Sequence, residues 1–252
     1  MSVLNVLSLF TGIGGLDLGL ERAGMRVVGQ VEIDRFCRSV LARHWPEVPC
    51  HDDVRTAPAW WGDGRAPVHV VAGGFPCQPF STAGRRRGVA DQRWGWPWFY
   101  DVVRAVRPRY VLVENVAALL RDADAFGWLL GDLAALGFDA QWSVLPACAV
   151  GAPHVRERLF LVAHPHGEHG PARLADPQGL ETAVATLDVP AGPWADPVHG
   201  FLEAERRSRR VADGLPDRLE PARVRALGNA VVPAVAEHVG RLIVAHHRQH
   251  TG

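Results

Sequence analysis

Four short apolar runs constrain this chain more than any other feature, because each stops on glycine or an acidic residue where a strand would reach the rim of a sheet. Val3–Leu9 halts at Thr11-Gly12-Ile13-Gly14-Gly15, and Leu16–Arg22 follows with apolar residues at helical spacing. Val27–Glu32 ends on its acid and gives way to a second helical stretch, Arg35–His44. Val68–Ala72 breaks at Gly73-Gly74, and Tyr110–Val113 runs into Glu114-Asn115. Phe126–Leu136 reads as a helix, with Gln141–Leu145 and Leu159–Ala163 as late strands. Strands alternating with helices predict an α/β fold around a doubly wound, mainly parallel sheet. Ligands of such sheets sit beyond the carboxyl ends of the strands, which is where these glycines and acids fall.

At 252 residues the chain can bury a sizeable core as one domain with a small appendage. Its character changes after His164. From Pro165 to about Pro221 it is rich in Pro, Gly and Asp, weakly periodic, and carries the run Arg206, Arg207, Arg209, Arg210. This predicts a loop-rich insertion over residues 165–222, between a first unit at 1–164 and a closing stretch at 223–252. In that last stretch Val224–Asn229 regains order and Ala234–Ala245 is helical.

No apolar run approaches the roughly 18 residues of a membrane span. Met1–Phe10 is apolar but lacks a basic start, so it is expected to be a strand and not a signal peptide, in a cytoplasmic chain that meets no membrane. Four scattered cysteines, with no Cys-x-x-Cys pair and no zinc-like Cys/His spacing, predict a reduced chain without a metal. Formal net charge is zero, which argues against holding nucleic acid by bulk charge. The charge is nevertheless concentrated, in Arg85-Arg86-Arg87 and in the Arg206–Arg210 run. Every basic residue is arginine, which suits phosphate recognition and is equally what a GC-rich genome would give.

Chemistry concentrates in a few places. Gly12-Ile13-Gly14-Gly15, between strand and helix, lets backbone N–H groups approach a ligand beside a helix N-terminus, although a tight turn without a ligand would look the same. Glu32, ending the second strand, is placed to accept hydrogen bonds from a ribose diol. Gly73-Gly74-Phe75-Pro76-Cys77-Gln78-Pro79-Phe80-Ser81 is more specific. A lone cysteine is usually a small buried hydrophobe. Here it lies in a Gly/Pro-constrained loop after a strand, a setting that can expose the sulfur and lower its pKa, as a thiolate nucleophile needs. Glu114-Asn115-Val116 puts a carboxyl at the end of a buried strand, where it needs a partner or a task. Arg156-Glu157-Arg158 puts two arginines on one side of an extended segment, the spacing also of a surface ion-pair cluster.

Taken in order, the glycine turn, the Pro-Cys-Gln loop, Glu-Asn-Val, Arg-x-Arg and Leu227-Gly228-Asn229-Ala230-Val231-Val232-Pro233 resemble the ordered motifs of the C5-cytosine DNA methyltransferases. The resemblance covers nearly all of residues 3–163 and 224–245. It implies a Rossmann-like methyltransferase fold, S-adenosylmethionine (SAM) as methyl donor, no metal, and double-stranded DNA as the partner of a monomer. It also implies roles. Phe10, Gly12, Gly14 and Pro76 would line the SAM site, with Glu32 on the ribose, Asp53 on the adenine amino group and Trp98 packed nearby. Asn229 and Val231 would close the same pocket. Cys77 would be the nucleophile, Glu114 would contact cytosine N3 and N4, and Arg156 and Arg158 would brace the site. The setting implied is restriction–modification or phage DNA protection.

The sequence departs from the family in the insertion, which is well under the roughly 100 residues of an ordinary compact domain. The usual Arg- and Gln-containing ninth motif is replaced by Arg210-Val211-Ala212-Asp213-Gly214-Leu215-Pro216, His154 stands where Gln is common, and Ser8 where Asp is frequent. So short a recognition segment would read a short site or need a partner. Three other readings remain open: a tRNA cytosine-5 methyltransferase of the same fold, a catalytically inactive DNA-binding relative, and a small-molecule SAM methyltransferase. The last would have no use for the Pro-Cys-Gln loop.

Overall fold

Asn5–Leu9 (β1) is buried along its whole length because it lies in the middle of the sheet, with neighbours on both edges. The computed structural model describes residues 3–62, 64–77, 94–152, 154–168, 170 and 221–251. Within them the sheet has seven strands, adding β2 (Arg26–Val31), β3 (Cys50–His51), β4 (Val70–Gly73), β5 (Tyr110–Val116), β6 (Phe138–Pro146) and β7 (Glu157–Pro165). Their order across the sheet is β3-β2-β1-β4-β5-β7-β6. The first five are parallel, while β7 runs antiparallel to both β5 and β6. A doubly wound, mainly parallel sheet is therefore the architecture, and β7 reverses one position in it.

The helices are α1 (Gly15–Arg22), α2 (Arg35–His44), α3 (Ala57–Trp60), α4 (Trp96–Val106), α5 (Ala123–Ala135), α6 (Pro221–Asn229) and α7 (Pro233–Thr251). α4 was not expected. Its start, Trp96-Pro97-Trp98-Phe99-Tyr100, is dense in aromatics, yet proline in a first turn is a helix starter and not a breaker. The aromatics fill one side of the sheet: Trp96 stacks on Phe99, Phe75 meets both, and the Trp96 indole donates to Asp132 of α5 at 2.7 Å. Leu7, Val71, Val111, Leu129 and Leu161 complete that layer.

On the opposite face α1 packs against α7 through Leu16, Leu20, Val235, Ala236, Val239 and Ile243. Glycine permits the approach. A methyl on Gly15 would fall 2.3 Å from the Val231 carbonyl oxygen, and one on Gly19 would fall 2.4 Å from that of Pro233 and 2.5 Å from Ala236 Cβ. Beneath them is a polar knot. The fully buried Asp17 accepts from the Ser8 hydroxyl at 2.5 Å and the Gln30 amide at 2.7 Å. Burial raises the Asp17 pKa to about 6, against the lowering effect of those two bonds. Serine at position 8, where the resemblance expects aspartate, is thereby explained: a second carboxylate there would face Asp17 without a cation.

The segment over residues 171–220, with its Arg206–Arg210 run, and the Arg85–Arg87 loop both lie outside the described residues. Among the described residues no helix is long and apolar enough to cross a membrane.

The glycine contacts make a signed prediction. In an open helix Gly→Ala gains up to about 1 kcal/mol. Gly19→Ala should instead cost about 1–3 kcal/mol of unfolding free energy, because the methyl overpacks the α1–α7 seam. Gly131→Ala, in α5 with nothing within 4 Å of the new methyl, should be neutral or stabilising. Urea titrations of the two variants decide it; equal effects would mean that the seam yields.

Candidate active site

β1, β2, β4 and β5 all end on one rim, and a cavity of about 480 Å³ opens there. Phe10 and Gly12 from the β1 turn, Glu32 from the end of β2, Gly74 to Cys77 after β4, Glu114 to Val116 of β5, Arg158 of β7, and Arg225, Ala226 and Asn229 of α6 line it. Two groups of chemistry thus share one space. At one end is the glycine turn, and at the other are a thiol, a carboxyl and a guanidinium.

The turn is held in a conformation that few sequences take. Phe10 has φ +51°, a left-handed backbone that is an outlier for a bulky residue, while Gly12 and Gly14 take φ +60° and +84° without that cost. Glu32 locks the arrangement: one carboxylate oxygen accepts from the Gly12 N–H at 2.6 Å and the other from the Asp34 N–H at 2.7 Å. Each oxygen keeps a lone pair beyond those bonds. Glu32 therefore both ties the β1 turn to the start of α2 and lines the cavity.

At the other end, Glu114 is 7% exposed and its carboxyl sits over Gly74, where a Cβ would fall 2.5 Å from Oε2. Arg158 Nε lies 3.2 Å from Oε1. Burial outweighs the arginines, so the Glu114 pKa rises to about 7. Asn115 positions the neighbouring loop by donating from its amide to the Phe75 carbonyl at 3.1 Å, and the Gly95 N–H holds the Pro76 carbonyl at 3.1 Å. Cys77 then pairs with Trp94 in a single antiparallel bridge. Asn115 is a positioning residue that its motif contained but that chemistry by residue type did not single out.

The thiol corrects one expectation. Cys77 is buried, and burial, with Asp122 adding to it, pushes its pKa up to about 12. The loop setting was one that can expose the sulfur and lower its pKa; desolvation prevails, and the resting sulfur is protonated.

Phe10, Gly12, Glu32, Pro76, Cys77, Glu114, Arg158 and Asn229 are brought together around the cavity. The remaining candidates lie outside its wall. Gly14 caps α1, its hydrogen side covered by Trp45. Asp53, after β3, chelates the Arg55 guanidinium at 2.6–3.0 Å. Trp98 packs on the α4 side of the core, and Val231 rests on Gly15. Arg156 does not share a side with Arg158, because it precedes β7 with φ +28° and is not extended. Its Nη2 donates to the Gly228 and Ala230 carbonyls at 2.8 and 2.7 Å, which fastens the motif carrying Asn229.

The family model described as C-5 cytosine-specific DNA methylase matches residues 4–187. Among relatives, the Type II methyltransferase M.NlaX of Neisseria lactamica is 34% identical over 194 residues, covering 73% of this chain and 59% of that protein. M.Eco47II of Escherichia coli is 37% identical over 171 residues, covering 64% and 40%, and M2.BsuMI of Bacillus subtilis is 33% identical over 170 residues, covering 64% and 42%. The chain spans about half the length of these relatives. In fold it is similar to the S. pombe Dnmt2 methyltransferase, with a TM-score of 0.64 at 16% identity over 100% of both chains. The Entamoeba histolytica methyltransferase EhMeth gives 0.61 at 14% identity over 97% of this chain and 99% of that one.

Glu114 also predicts a pH dependence of stability. Its folded pKa lies above the ordinary 4.5 of a solvated glutamate, so its contribution is fully present below about 4.5 and is lost as pH rises through about 7. Glu114→Gln does not titrate. The stability of the wild type relative to this variant should therefore fall between pH 4.5 and 8, by at most about 3 kcal/mol. Denaturant titrations at both pH values measure it, and a constant difference would mean that Glu114 is solvated.

Proposed function

Because the chain belongs to the C-5 cytosine-specific DNA methylase family, we propose that it transfers a methyl group from SAM to C5 of a cytosine in double-stranded DNA, through a covalent bond between Cys77 and C6. The observation that carries this reading is the single cavity joining the Phe10–Gly12–Glu32 turn to Cys77, Glu114 and Arg158. At about 480 Å³ it is within the range of small-molecule sites, and its two ends suit a nucleoside and a base.

The turn fits the donor. Phe10 in its forced conformation offers a ring wall, the glycines leave the backbone bare, and the Glu32 carboxylate has acceptor capacity left for a diol. Pro76 and Asn229 would border the same ligand. SAM would supply a methyl group made electrophilic by its sulfonium. Gly14, Asp53, Trp98 and Val231, outside the cavity wall, would reach the donor only after a local shift.

The chain's own residues do the rest. Cytosine C5 is too weak a nucleophile to take a methyl group unaided. The Cys77 thiol passes its proton to the Glu114 carboxylate, the sulfur adds to C6, and Glu114 delivers that proton to N3, which turns C5 into an enamine carbon. After methylation a solvent water takes the C5 proton, the Cys77 thiolate is expelled from C6, and N3 returns its proton through Glu114 to the sulfur, restoring the ring. Arg158 keeps the Glu114 carboxyl aimed and balances it when ionised. Cys77 and Glu114 are both buried, so a base paired in a duplex cannot reach them without leaving the stack. Arg156 is proposed to position the Gly228–Ala230 wall and not to touch the base.

Two experiments test the reading. With SAM and a duplex carrying 5-fluorocytosine, loss of the C5 proton is blocked, and a denaturant-stable protein–DNA adduct should accumulate. Cys77→Ser should form none, and an undiminished adduct would remove Cys77 from the role. Offering duplex DNA and tRNA side by side tests the polymer.

The second experiment is a pH profile of single-turnover rate. The reactive pair, thiolate with protonated acid, holds one proton, as does the pair of thiol with carboxylate. Glu114 gives up its proton near 7 and Cys77 only near 12, so the one-proton state fills as pH climbs through about 7. The rate should rise through that value and level off, and a rate that falls there would contradict this proton assignment.

A further inference from the structure

At the rim opposite the cavity, where β5 begins and β7 ends, a second cluster of donor side chains lies between the end of β7 and α7. Glu168, His246 and His250 each direct one donor atom into it, all within 4.8 Å of one another. Glu168 follows β7, and the two histidines are one turn apart on α7. Arg109 pairs with Glu168 Oε1 at 2.7 Å, while Oε2 is buried with no hydrogen-bond partner. A buried carboxylate oxygen left so is costly unless something occupies it. The histidines are held from behind. His250 Nδ1 lies 3.0 Å from the His246 carbonyl oxygen; a carbonyl only accepts, so Nδ1 carries the proton and Nε2 the lone pair. The Tyr110 hydroxyl bonds His246 Nδ1 at 2.9 Å. The carbonyl contact fixes the His250 tautomer, and the Tyr110 hydroxyl can accept from His246 Nδ1–H, which would leave Nε2 for a ligand.

We propose that Glu168, His246 and His250 bind one divalent ion of the zinc class, a site separate from the methyl-transfer cavity. Two imidazoles and one carboxylate are a set that such ions take, at about 2.0–2.2 Å from each donor atom. Donors around a tetrahedral ion are then roughly 3.4 Å apart, so binding would turn the His246 and His250 rings, now stacked at 4.2 Å, until their lone pairs converge. The ion would tie the segment after β7 to α7, two stretches that the fold otherwise joins at this rim through Arg109, Tyr110 and the histidine rings. The Arg109 guanidinium on Oε1 opposes a second cation, and the free lone pair of His250 and the unpartnered Oε2 favour it.

The test uses the full chain without a purification tag, stripped by a chelator and dialysed. Calorimetric titration with Zn²⁺ should give one ion per chain, and Co²⁺ should give the visible absorption of a low-coordinate site. Zn²⁺ at about 100 times its Kd should raise the unfolding midpoint by about 5–10 °C. Glu168→Gln and His250→Ala should each weaken binding at least 10-fold and remove the thermal shift, while methyl transfer stays unchanged. Cys77→Ser should leave binding intact. Absence of saturable binding, binding indifferent to both substitutions, or binding that disappears with Cys77→Ser would each overturn the site.

Discussion

A carboxyl group buried at the centre of the sheet's rim is the constraint on which the rest of the active-site wall depends. Glu114 on β5 has room because Gly74 on the neighbouring strand end lacks a Cβ, and it has a counter-charge because β7 runs antiparallel beside β5. That reversal brings the start of β7, and so Arg158, to the rim where the parallel strands finish; a parallel strand in the same slot would deliver its end there. The ion pair does not cancel the burial. A pKa near 7 means that the group can hold or give a proton at neutral pH, which is the property acid–base work asks for.

The two ends of the cavity are built differently, for a physical reason. The turn end relies on backbone shape: Phe10 in left-handed conformation, glycines at positive φ, and Glu32 satisfying two N–H groups that the turn would otherwise leave open. Such a surface is rigid and offers mostly directional bonds. The thiol end relies on burial, which keeps Cys77 protonated and leaves Glu114 balanced between its acid and carboxylate forms near pH 7. A neutral, protonated cysteine is protected from adventitious oxidation, since the thiolate is the reactive form.

Much of this was legible in the sequence because its signals are local. Glycine turns, the Pro-Cys-Gln loop and an acid ending an apolar strand declare themselves within a few residues, and so do β1, β2, β4 and β5. What escaped depends on distant neighbours. Cys77 looked ionisable from its loop, yet its surroundings are supplied by Phe75, Trp94 and Asp122, which local dipoles do not anticipate. α4 hid behind a proline that tertiary packing uses as a start. Asp53 reads as a ligand by motif order, but the adjacent Arg55 engages it in this structure. The cluster of Glu168, His246 and His250 has no motif, because its members come from two ends of the fold; i, i+4 histidines alone are too common on exposed helices to weigh.

The pair Arg156 and Arg158 shows how the entry to one strand can serve two parts of the cavity wall. Spacing put both on one side of an extended segment, and the resemblance had both brace the site. The left-handed backbone at Arg156 turns it away from the strand direction, so that one guanidinium meets Glu114 and the other holds the carbonyls of Gly228 and Ala230. Asn229, between those carbonyls, belongs to the cavity wall. A shift of β7 toward or away from β5 would therefore move the counter-charge of the acid and the α6 wall together. With β7 antiparallel to β5, it is the entry to the strand, Arg156 to Arg158, that meets both the acid of β5 and the returning C-terminal motif.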